Sequence, residues 1–365
     1  MRQKTADGTI FLKNALQSVG LPSLADLADG EVETDARAAR ALFALCPHAR
    51  ATPLLSKRDL ATQLGVAALH VKDERERMGL GSFKALGAVH AIAKMAAEKR
   101  PDLSIENAAD ALVGHTFICA SAGNHGLSLA AGARLFGAQA VVVLAKTVPD
   151  SFAQRLETYG ARVMRAGDDY EQSMEASKSI AAERDFHLLS DGSWLGYSDP
   201  ARDVMEGYLI MGAETAERID QPPTHVFLQA GVGGLAAAMA ASARSHWGDD
   251  VSIIVVEPVA APALFESVEQ GRVVETAGPV SSMGRLDCKT PSHLALRYLA
   301  READHFMLVS DEQAQEALEK AIPHGLASTP SGIAGLAGLM AMAKDPDQIG
   351  LTDQSRCLCI LSEQV

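Results

Sequence analysis

The chain has 365 residues, of which 47% are hydrophobic, enough for a sizeable core in one large or two medium-sized domains. Its 33 Lys and Arg residues against 46 Asp and Glu residues give a formal net charge of -13, which disfavours non-specific binding of nucleic acid. No run of about 18 apolar residues is present, and no membrane span is expected. The chain start lacks an apolar signal core and the five cysteines are sparse, so we expect reduced thiols and a cytoplasmic location.

Apolar, β-branched runs alternate with longer segments of helical periodicity along the chain. This alternation is typical of an α/β protein with parallel sheets flanked by helices. An acidic and less regular segment, residues 20–40, is treated as an N-terminal elaboration without an assigned role. The predicted strands are residues 117–120, 140–144, 187–190, 225–229, 252–256 and 356–361. The predicted helices are residues 84–98, 126–136, 151–159, 201–219 and 234–245.

The first candidate element is a glycine-containing turn, residues 81–87, that leads into a helix and places Lys84 in its first turn. The helix dipole disfavours a cation at that end, and the flanking residues are apolar or small. A partly desolvated lysine has a lowered pKa, which suits an amine that must form a Schiff base. Taken alone, Lys84 is more simply interpreted as an ordinary surface lysine.

The second element, residues 120–126, is a turn of small residues between a predicted strand and a predicted helix. Such a turn leaves backbone N–H groups free to bind an anion, such as the carboxylate of a substrate. The candidate substrate-binding residues are Ser121, Ala122, Gly123 and His125. Asn124 could donate a hydrogen bond to a phenolic oxygen of a cofactor. His125 either orients a neighbour or merely caps the helix, and the capping role is preferred.

The third element is the glycine-rich turn of Gly231, Val232, Gly233 and Gly234, again between a strand and a helix. It allows close approach of the backbone to a phosphate. A dinucleotide site would need a different glycine spacing and an acidic residue about 20 positions later, whereas Glu257 follows Gly231 by about 26. We therefore expect a compact phosphate-bearing cofactor. No motif predicts a metal site.

Together, these motifs resemble the fold type II pyridoxal-phosphate enzymes, which include threonine dehydratase, threonine synthase, cysteine synthase and tryptophan synthase β. Residues 82–84 resemble the Schiff-base motif of that group, residues 121–126 its asparagine loop, residues 231–234 its phosphate loop, and Ser362 the partner of its pyridine nitrogen. The resemblance implies pyridoxal 5'-phosphate on Lys84 and a two-lobed fold like that of tryptophan synthase β. Residues 1–90 and 205–365 would form a large cofactor-binding domain, and residues 91–204 a small domain carrying the asparagine loop.

Within the group, the chain is most similar to the diaminopropionate ammonia-lyases over most of its length after about Thr52. The stretches that carry this likeness are residues 72–74 with 78–84, 190–197, and 282–288 with 291–292, and more weakly 330–335. Two departures stand out. Ala122 replaces an Asp associated with removal of the α-proton of the D-substrate, so D-isomer activity should be lost. Residues 363–365 replace a glycine and a polar tail, which implies a looser wall around the pyridine site.

The resemblance implies α,β-elimination on a small L-amino acid. The freed amine of Lys84 would remove the α-proton, and the Ser362 hydroxyl would leave the pyridine nitrogen largely unprotonated, which favours prompt loss of a β-substituent. The preferred substrate is L-2,3-diaminopropionate, giving pyruvate and ammonia, with Asp191 either pairing with the β-ammonium group or capping the turn before Gly192. The family is commonly dimeric.

Two alternatives remain open at this point. The first is an L-serine/L-threonine dehydratase or a hydroxyaspartate-type dehydratase. In those enzymes the loop sequence with Ala122 is usual. The second is a catalytically inactive family member that binds an amino acid or a partner protein, although the intact Lys84 argues against it.

Overall fold

The structure is a computed structural model, and it describes residues 2–5, 8–22 and 31–365. Parts of the chain start and of the N-terminal elaboration, namely Met1, residues 6–7 and residues 23–30, therefore lie outside the described residues. Within the described part, no helix is both long enough and apolar enough to cross a membrane.

The larger of two β-sheets has eight strands, and its five central strands are parallel. The strands at both edges run antiparallel to their neighbours, which the apolar pattern did not predict because these strands are short and partly exposed. Across the sheet, the order is β1 (Arg2–Lys4), β2 (Ile10–Lys13), β11 (His305–Val309), β10 (Ser252–Pro258), β9 (His225–Gln229), β12 (Arg356–Leu361), β4 (Ala68–Asp73) and β3 (Leu54–Ser56).

The smaller sheet has four strands, all parallel. The strand predicted at residues 187–190 is shorter than expected: it spans His187–Leu188, and the N–H of Leu189 makes a last hydrogen bond to the carbonyl of Ile118 at 2.9 Å. The order across this sheet is β7 (Ala161–Arg165), β6 (Gln139–Leu144), β5 (Thr116–Ala120) and β8 (His187–Leu188). The prediction of an α/β fold with parallel sheets is confirmed in the interior of both sheets.

Twelve α-helices in the described part of the chain flank the two sheets. Each of the five predicted helices is present with shifted ends. Asp169 caps a further helix by accepting the backbone N–H of Gln172 at 2.8 Å. The helices are α1 (Arg37–Phe43), α2 (Arg58–Gln63), α3 (Ala85–Lys99), α4 (Asn124–Leu135), α5 (Asp150–Thr158), α6 (Tyr170–Arg184), α7 (Asp199–Ala216), α8 (Gly234–Trp247), α9 (Ala263–Gln270), α10 (His293–Glu302), α11 (Asp311–Ala321) and α12 (Pro330–Met342).

Strand β9 shows how the larger sheet is covered on both faces. Successive side chains of a strand point to opposite faces, so Val226 and Leu228 pack in the core that includes α8, whereas Phe227 packs in the core that includes α12. A strand buried on both faces reads as a continuous apolar run, which is why the sequence predicted it.

Helices α3 and α7 pack against each other, and α3 also packs against α4. The predicted domain boundaries at residues 90/91 and 204/205 fall inside α3 and α7. All four strands of the smaller sheet lie within residues 91–204, and the division into two domains stays a prediction.

Candidate active site

Lys84 lies at the start of α3, on a turn that the end of the chain holds in place. The N–H of Phe83 donates to the carbonyl of Ser362 at 3.0 Å, and the N–H of Gln364 donates to the carbonyl of Gly81 at 2.9 Å. The helix begins at Ala85, so Lys84 immediately precedes it. These backbone contacts fix the Lys84 side chain beside the carboxyl end of β12.

The Lys84 ammonium is ion-paired with the carboxylate of Asp191. Its Nζ also lies 5.4 Å from the ring centroid of Phe83 and 5.9 Å from that of Tyr208. Both positions are close enough for the electron-rich ring faces to attract the cation. Lys84 therefore lies between one carboxylate and two aromatic rings, with its side chain 21% exposed.

The expectation of a lowered pKa for the free amine of Lys84 is wrong. Burial acts to lower the pKa of Lys84, but the attraction of Asp191 outweighs it and the pKa lies above its usual range. Burial likewise acts to raise the pKa of Asp191, yet the charge of Lys84 holds that pKa well below its ordinary value. The paired groups are thus ammonium and carboxylate at neutral pH.

The turn that carries Asp191 is anchored on both sides. The backbone N–H of Ser190 donates to the hydroxyl oxygen of Tyr197 at 2.9 Å. The hydroxyls of Ser193 and Ser292 lie 2.8 Å apart. The Gly192 N–H donates to the Ser190 hydroxyl oxygen at 3.2 Å, so Ser190, and not Asp191, caps this turn. The Asp191 carboxylate is left to pair with a cation.

The asparagine loop is folded around the Ser121 hydroxyl. Its oxygen accepts the N–H of Gly123 at 3.2 Å and the N–H of Gly126 at 3.1 Å. Three further N–H groups of the loop have no acceptor within the described part of the chain, and they are available to bind a carboxylate at the start of α4. These groups belong to Ala122, Asn124 and His125.

The ring of His125 is buried behind the loop. Its Nε2 lies 2.8 Å from the carbonyl oxygen of Leu189, to which it donates, and burial lowers the pKa of the ring. Because Leu189 comes two residues before Asp191, His125 supports the Asp191 turn. The structure therefore gives His125 the orienting role and does not make it a helix cap.

The glycine loop connects β9 to α8 and requires glycine at two positions. Gly233 has a φ of 105°, a left-handed conformation that other residues rarely adopt. A Cβ on Gly231 would lie 3.0 Å from the Sγ of Cys288. The N–H groups of Gly231, Gly233 and Gly234 donate to no acceptor among the described residues. Together with the N-terminus of α8, they can bind a phosphate.

Ser362 follows the last residue of β12 and is only 5% exposed. Its hydroxyl has no hydrogen-bond partner in the described part of the chain. The hydroxyl can therefore donate to, or accept from, a ligand in the cleft. The hydroxyl suits a pyridine nitrogen.

Three residues of the site were not predicted. Tyr208 lies in the middle of α7, where no local pattern distinguishes it. Arg285 was noted only as part of a motif, and its guanidinium donates to the carbonyl of Ala122 at 2.9 Å. Glu363 is 5% exposed and hydrogen-bonded to Asn124, so the expected looser wall after Ser362 is wrong.

These residues fit pyridoxal 5'-phosphate. Lys84 would hold it covalently, the glycine loop its phosphate, Asn124 its phenolic oxygen and Ser362 its pyridine nitrogen. When bound, this cofactor supplies an electron sink for charge that develops at the α carbon of an amino acid. Among the described residues, no group of three or more His, Cys, Asp or Glu side chains could hold a metal ion.

Comparison with known proteins agrees with this arrangement. The family model described as "Pyridoxal-phosphate dependent enzyme" matches residues 45–363. The diaminopropionate ammonia-lyase of Escherichia coli K12 is 29% identical over 337 residues, which are 88% of this chain and 85% of that protein. The L-serine dehydratase/L-threonine deaminase of Mus musculus is 26% identical over 271 residues, which are 74% of this chain and 76% of that protein.

Solved structures show the same likeness. Diaminopropionate ammonia-lyase from Escherichia coli in complex with D-serine superposes with a TM-score of 0.86 at 26% identity, covering 97% of this chain and 93% of that one. A complex of the same lyase with an aminoacrylate-PLP azomethine reaction intermediate gives a TM-score of 0.84. Threonine deaminase from Solanum lycopersicum shares the fold, with a TM-score of 0.76 at 19% identity. The resemblance inferred from the sequence is confirmed.

Proposed function

Because this chain belongs to the family of pyridoxal-phosphate-dependent enzymes, we propose that it catalyses α,β-elimination on L-2,3-diaminopropionate. With one water, the reaction yields pyruvate and two molecules of ammonia. The relatives named diaminopropionate ammonia-lyase support this choice, since they align with most of the chain.

The observation that carries the proposal is the ion pair of Lys84 and Asp191. Once the amine of Lys84 is engaged by the cofactor, Asp191 loses its counter-ion. Its carboxylate, on a side chain that is only 19% exposed, is then available to a cationic group, because a charge that is largely shielded from water and left unpaired is costly. A β-ammonium group supplies that cation, whereas the β-hydroxyl of serine does not.

The other residues of the cleft have roles that suit a small amino acid. The free N–H groups of the asparagine loop bind the α-carboxylate. The amine of Lys84, released when the substrate amine replaces it, takes the α-proton of the L-isomer. Ala122 offers no acid or base on the asparagine loop for the D-isomer.

A dehydratase acting on L-serine, L-threonine or hydroxyaspartate is the second candidate. Ala122 favours it, because the loop then has no carboxylate, and so does the similarity to the L-serine dehydratase/L-threonine deaminase of Mus musculus. In this alternative, Asp191 would pair with no part of the substrate.

The test measures ammonia release and the visible absorbance of lysine-bound cofactor. We expect the absorbance in the purified protein, its loss in Lys84→Ala, and its retention in Lys146→Ala, a change at an exposed lysine. L-2,3-Diaminopropionate should be turned over faster than L-serine, L-threonine or hydroxyaspartate. If a hydroxy amino acid is turned over and diaminopropionate is not, diaminopropionate is not the substrate. Absence of any absorbance after incubation with cofactor would indicate an inactive family member.

We also propose that the enzyme is a homodimer of the cytoplasm. The family resemblance supports the dimer, and the five unpaired cysteines are typical of a reducing compartment. Light scattering on the purified protein measures the oligomeric state, and a monomeric mass with full activity would contradict the dimer.

A further inference from the structure

Glu363, the residue after Ser362, places a carboxylate where three segments of the chain meet, and its side chain is 7% exposed. The Nδ2 of Asn124 donates to its Oε2 at 2.5 Å, and the hydroxyl of Thr329 donates to its Oε1. The Nε of Arg285 lies 3.8 Å from Oε2. None of the roles described above uses this carboxylate.

The carboxylate determines which end of the Asn124 amide faces it. A carboxylate only accepts hydrogen bonds, so the amide nitrogen must point toward Glu363 and the amide oxygen away from it. An amide nitrogen carries two N–H groups. One donates to Glu363, and the side chain of Asn124 has no other partner in the described part of the chain. The second N–H is free for an acceptor in the cleft.

Glu363 is itself held at its backbone and at its side chain. The hydroxyl of Ser328 donates to the carbonyl oxygen of Glu363. Thr329 is the residue that caps α12, where its hydroxyl oxygen accepts the N–H of Gly332 at 2.9 Å. The N-terminus of a helix favours negative charge, so this position suits a carboxylate. A group fixed in this way can orient a neighbour.

We propose that Glu363 is a positioning residue that fixes the Asn124 amide, so that its second N–H points at the phenolic oxygen of the bound cofactor. This inference rests on the proposed function, in which Asn124 donates to that oxygen. Hydrogen bonds to a charged group are stronger than neutral ones, so the contact with Glu363 can hold the Asn124 amide in one orientation. A donor held at the phenolic oxygen favours its ionised form and thereby sets the pH titration of the visible absorbance.

The test compares holoenzymes carrying Glu363→Ala, Glu363→Gln, Asn124→Ala and the Asn124→Ala/Glu363→Ala pair. Glu363→Ala should weaken cofactor binding by about tenfold to a hundredfold and shift the pH titration of the visible absorbance. Glu363→Gln should restore most of both, because its amide oxygen can accept the Asn124 N–H and its volume is unchanged. Glu319→Ala, at an exposed glutamate, is the control and should change neither.

The double variant separates positioning from a general structural effect. If Glu363 acts through Asn124, the cofactor Kd of the double variant equals that of Asn124→Ala alone. The proposal would be overturned if the fold-changes in cofactor Kd of the two single variants multiply in the double variant. It would also be overturned if Glu363→Ala left both the cofactor Kd and the pH titration unchanged. Should Glu363→Ala fail to fold, Glu363→Met, which keeps a similar volume but offers no oxygen to accept the Asn124 N–H, completes the same cycle with Asn124→Ala.

This experiment is independent of the amino-acid substrate. If diaminopropionate is not turned over but the coupling between Asn124 and Glu363 is present, only the proposed substrate fails. If the coupling is absent while diaminopropionate is turned over, only the role of Glu363 fails.

Discussion

The ammonium of Lys84 and the carboxylate of Asp191 form an ion pair, although 107 residues separate them in the sequence. Lys84 is presented by the turn before α3, and Asp191 by the turn that follows β8. The backbone of the Asp191 turn lies against the glycine loop, where a Cβ on Gly234 would be 3.9 Å from the Asp191 carbonyl oxygen. The pair therefore brings together the turn before α3, the smaller sheet and the glycine loop.

Asp191→Asn should lower kcat/KM for L-2,3-diaminopropionate by about tenfold to a hundredfold more than it lowers kcat/KM for L-serine. The change alters the environment of Lys84 for both substrates, but only diaminopropionate has a β-ammonium group that needs the negative charge. Ammonia release with both substrates gives the ratio. Asp168→Asn, at an exposed aspartate, is the control. Equal losses for the two substrates would show that Asp191 does not recognise the β-ammonium group.

Ala122→Asp should give measurable turnover of D-2,3-diaminopropionate. Ala122 is exposed on the asparagine loop, so the longer side chain can enter the cleft without displacing a buried neighbour. Arg285, already bonded to the Ala122 carbonyl, can stabilise the added carboxylate. Ammonia release from the two enantiomers checks the gain. Retained L-activity with no D-activity would count against a lyase-like pocket.

Gly233→Ala should weaken cofactor binding and lower thermal stability. The residue has a φ of 105°, and a Cβ would lie 3.0 Å from the Cβ of Ala295. Holding a non-glycine residue in such a conformation costs about 1–3 kcal/mol. Gly248→Ala is a matched control, because Gly248 also has a positive φ, at the other end of α8, but nothing lies within 4 Å of its Cβ. The control should lower Tm and leave the cofactor Kd unchanged, and equal Kd values for both variants would contradict the phosphate role.

The buried carboxyl group of Glu257 should make the free energy of unfolding of the protein depend on pH. It is fully buried, and burial raises its pKa to about 8, although the N–H groups of Leu264 and Phe265 act in the opposite direction. An unfolded glutamate titrates near 4.5. Between these values the folded protein keeps a proton that the unfolded chain has lost. The contribution of Glu257 to the free energy of unfolding is therefore complete below pH 4.5 and falls as the pH rises toward 8.

The measurement is urea unfolding of the wild type and of Glu257→Gln, which does not titrate. The free energy of unfolding of the wild type minus that of the variant should fall with rising pH, by at most about 1.4 kcal/mol per pH unit. A difference that does not change between pH 5 and 8 would show that the carboxyl group keeps one charge state throughout.

Local sequence was sufficient to locate Lys84, the asparagine loop and the glycine loop, because each combines small residues with a strand-to-helix change. Strands β5, β6, β9, β10 and β12 were predictable for a similar reason, since strands buried on both faces are largely apolar, whereas the parallel strands β4 and β11 were not predicted. The same information could not show the partner of Lys84. Its apolar flanks suggested a lowered pKa, but the nearby carboxylate comes from residue 191 and reverses the direction.

Glu363 and Tyr208 illustrate what local sequence does not contain. Tyr208 lies in a helix whose pattern serves core packing, and its nearness to Lys84 depends on how α7 packs on α3. Glu363 looked like a departure in the tail, because the hydroxyls and the amide that hold it lie far away in sequence. Contacts of this kind are set by tertiary structure.

The strands at the edges of the larger sheet have a consequence for how the protein behaves at high concentration. Both edges end in strands of three residues, and Arg2 of β1 reaches out to Glu266 at 2.6 Å. Short edge strands are poor templates for strands of other molecules, and the charges of β1 add to this protection at its edge. Strand β11, which is longer and mostly buried, lies behind β1 and β2. Removing residues 2–13 would expose β11 and make intermolecular sheet formation, and hence aggregation, the main hazard of the truncated protein.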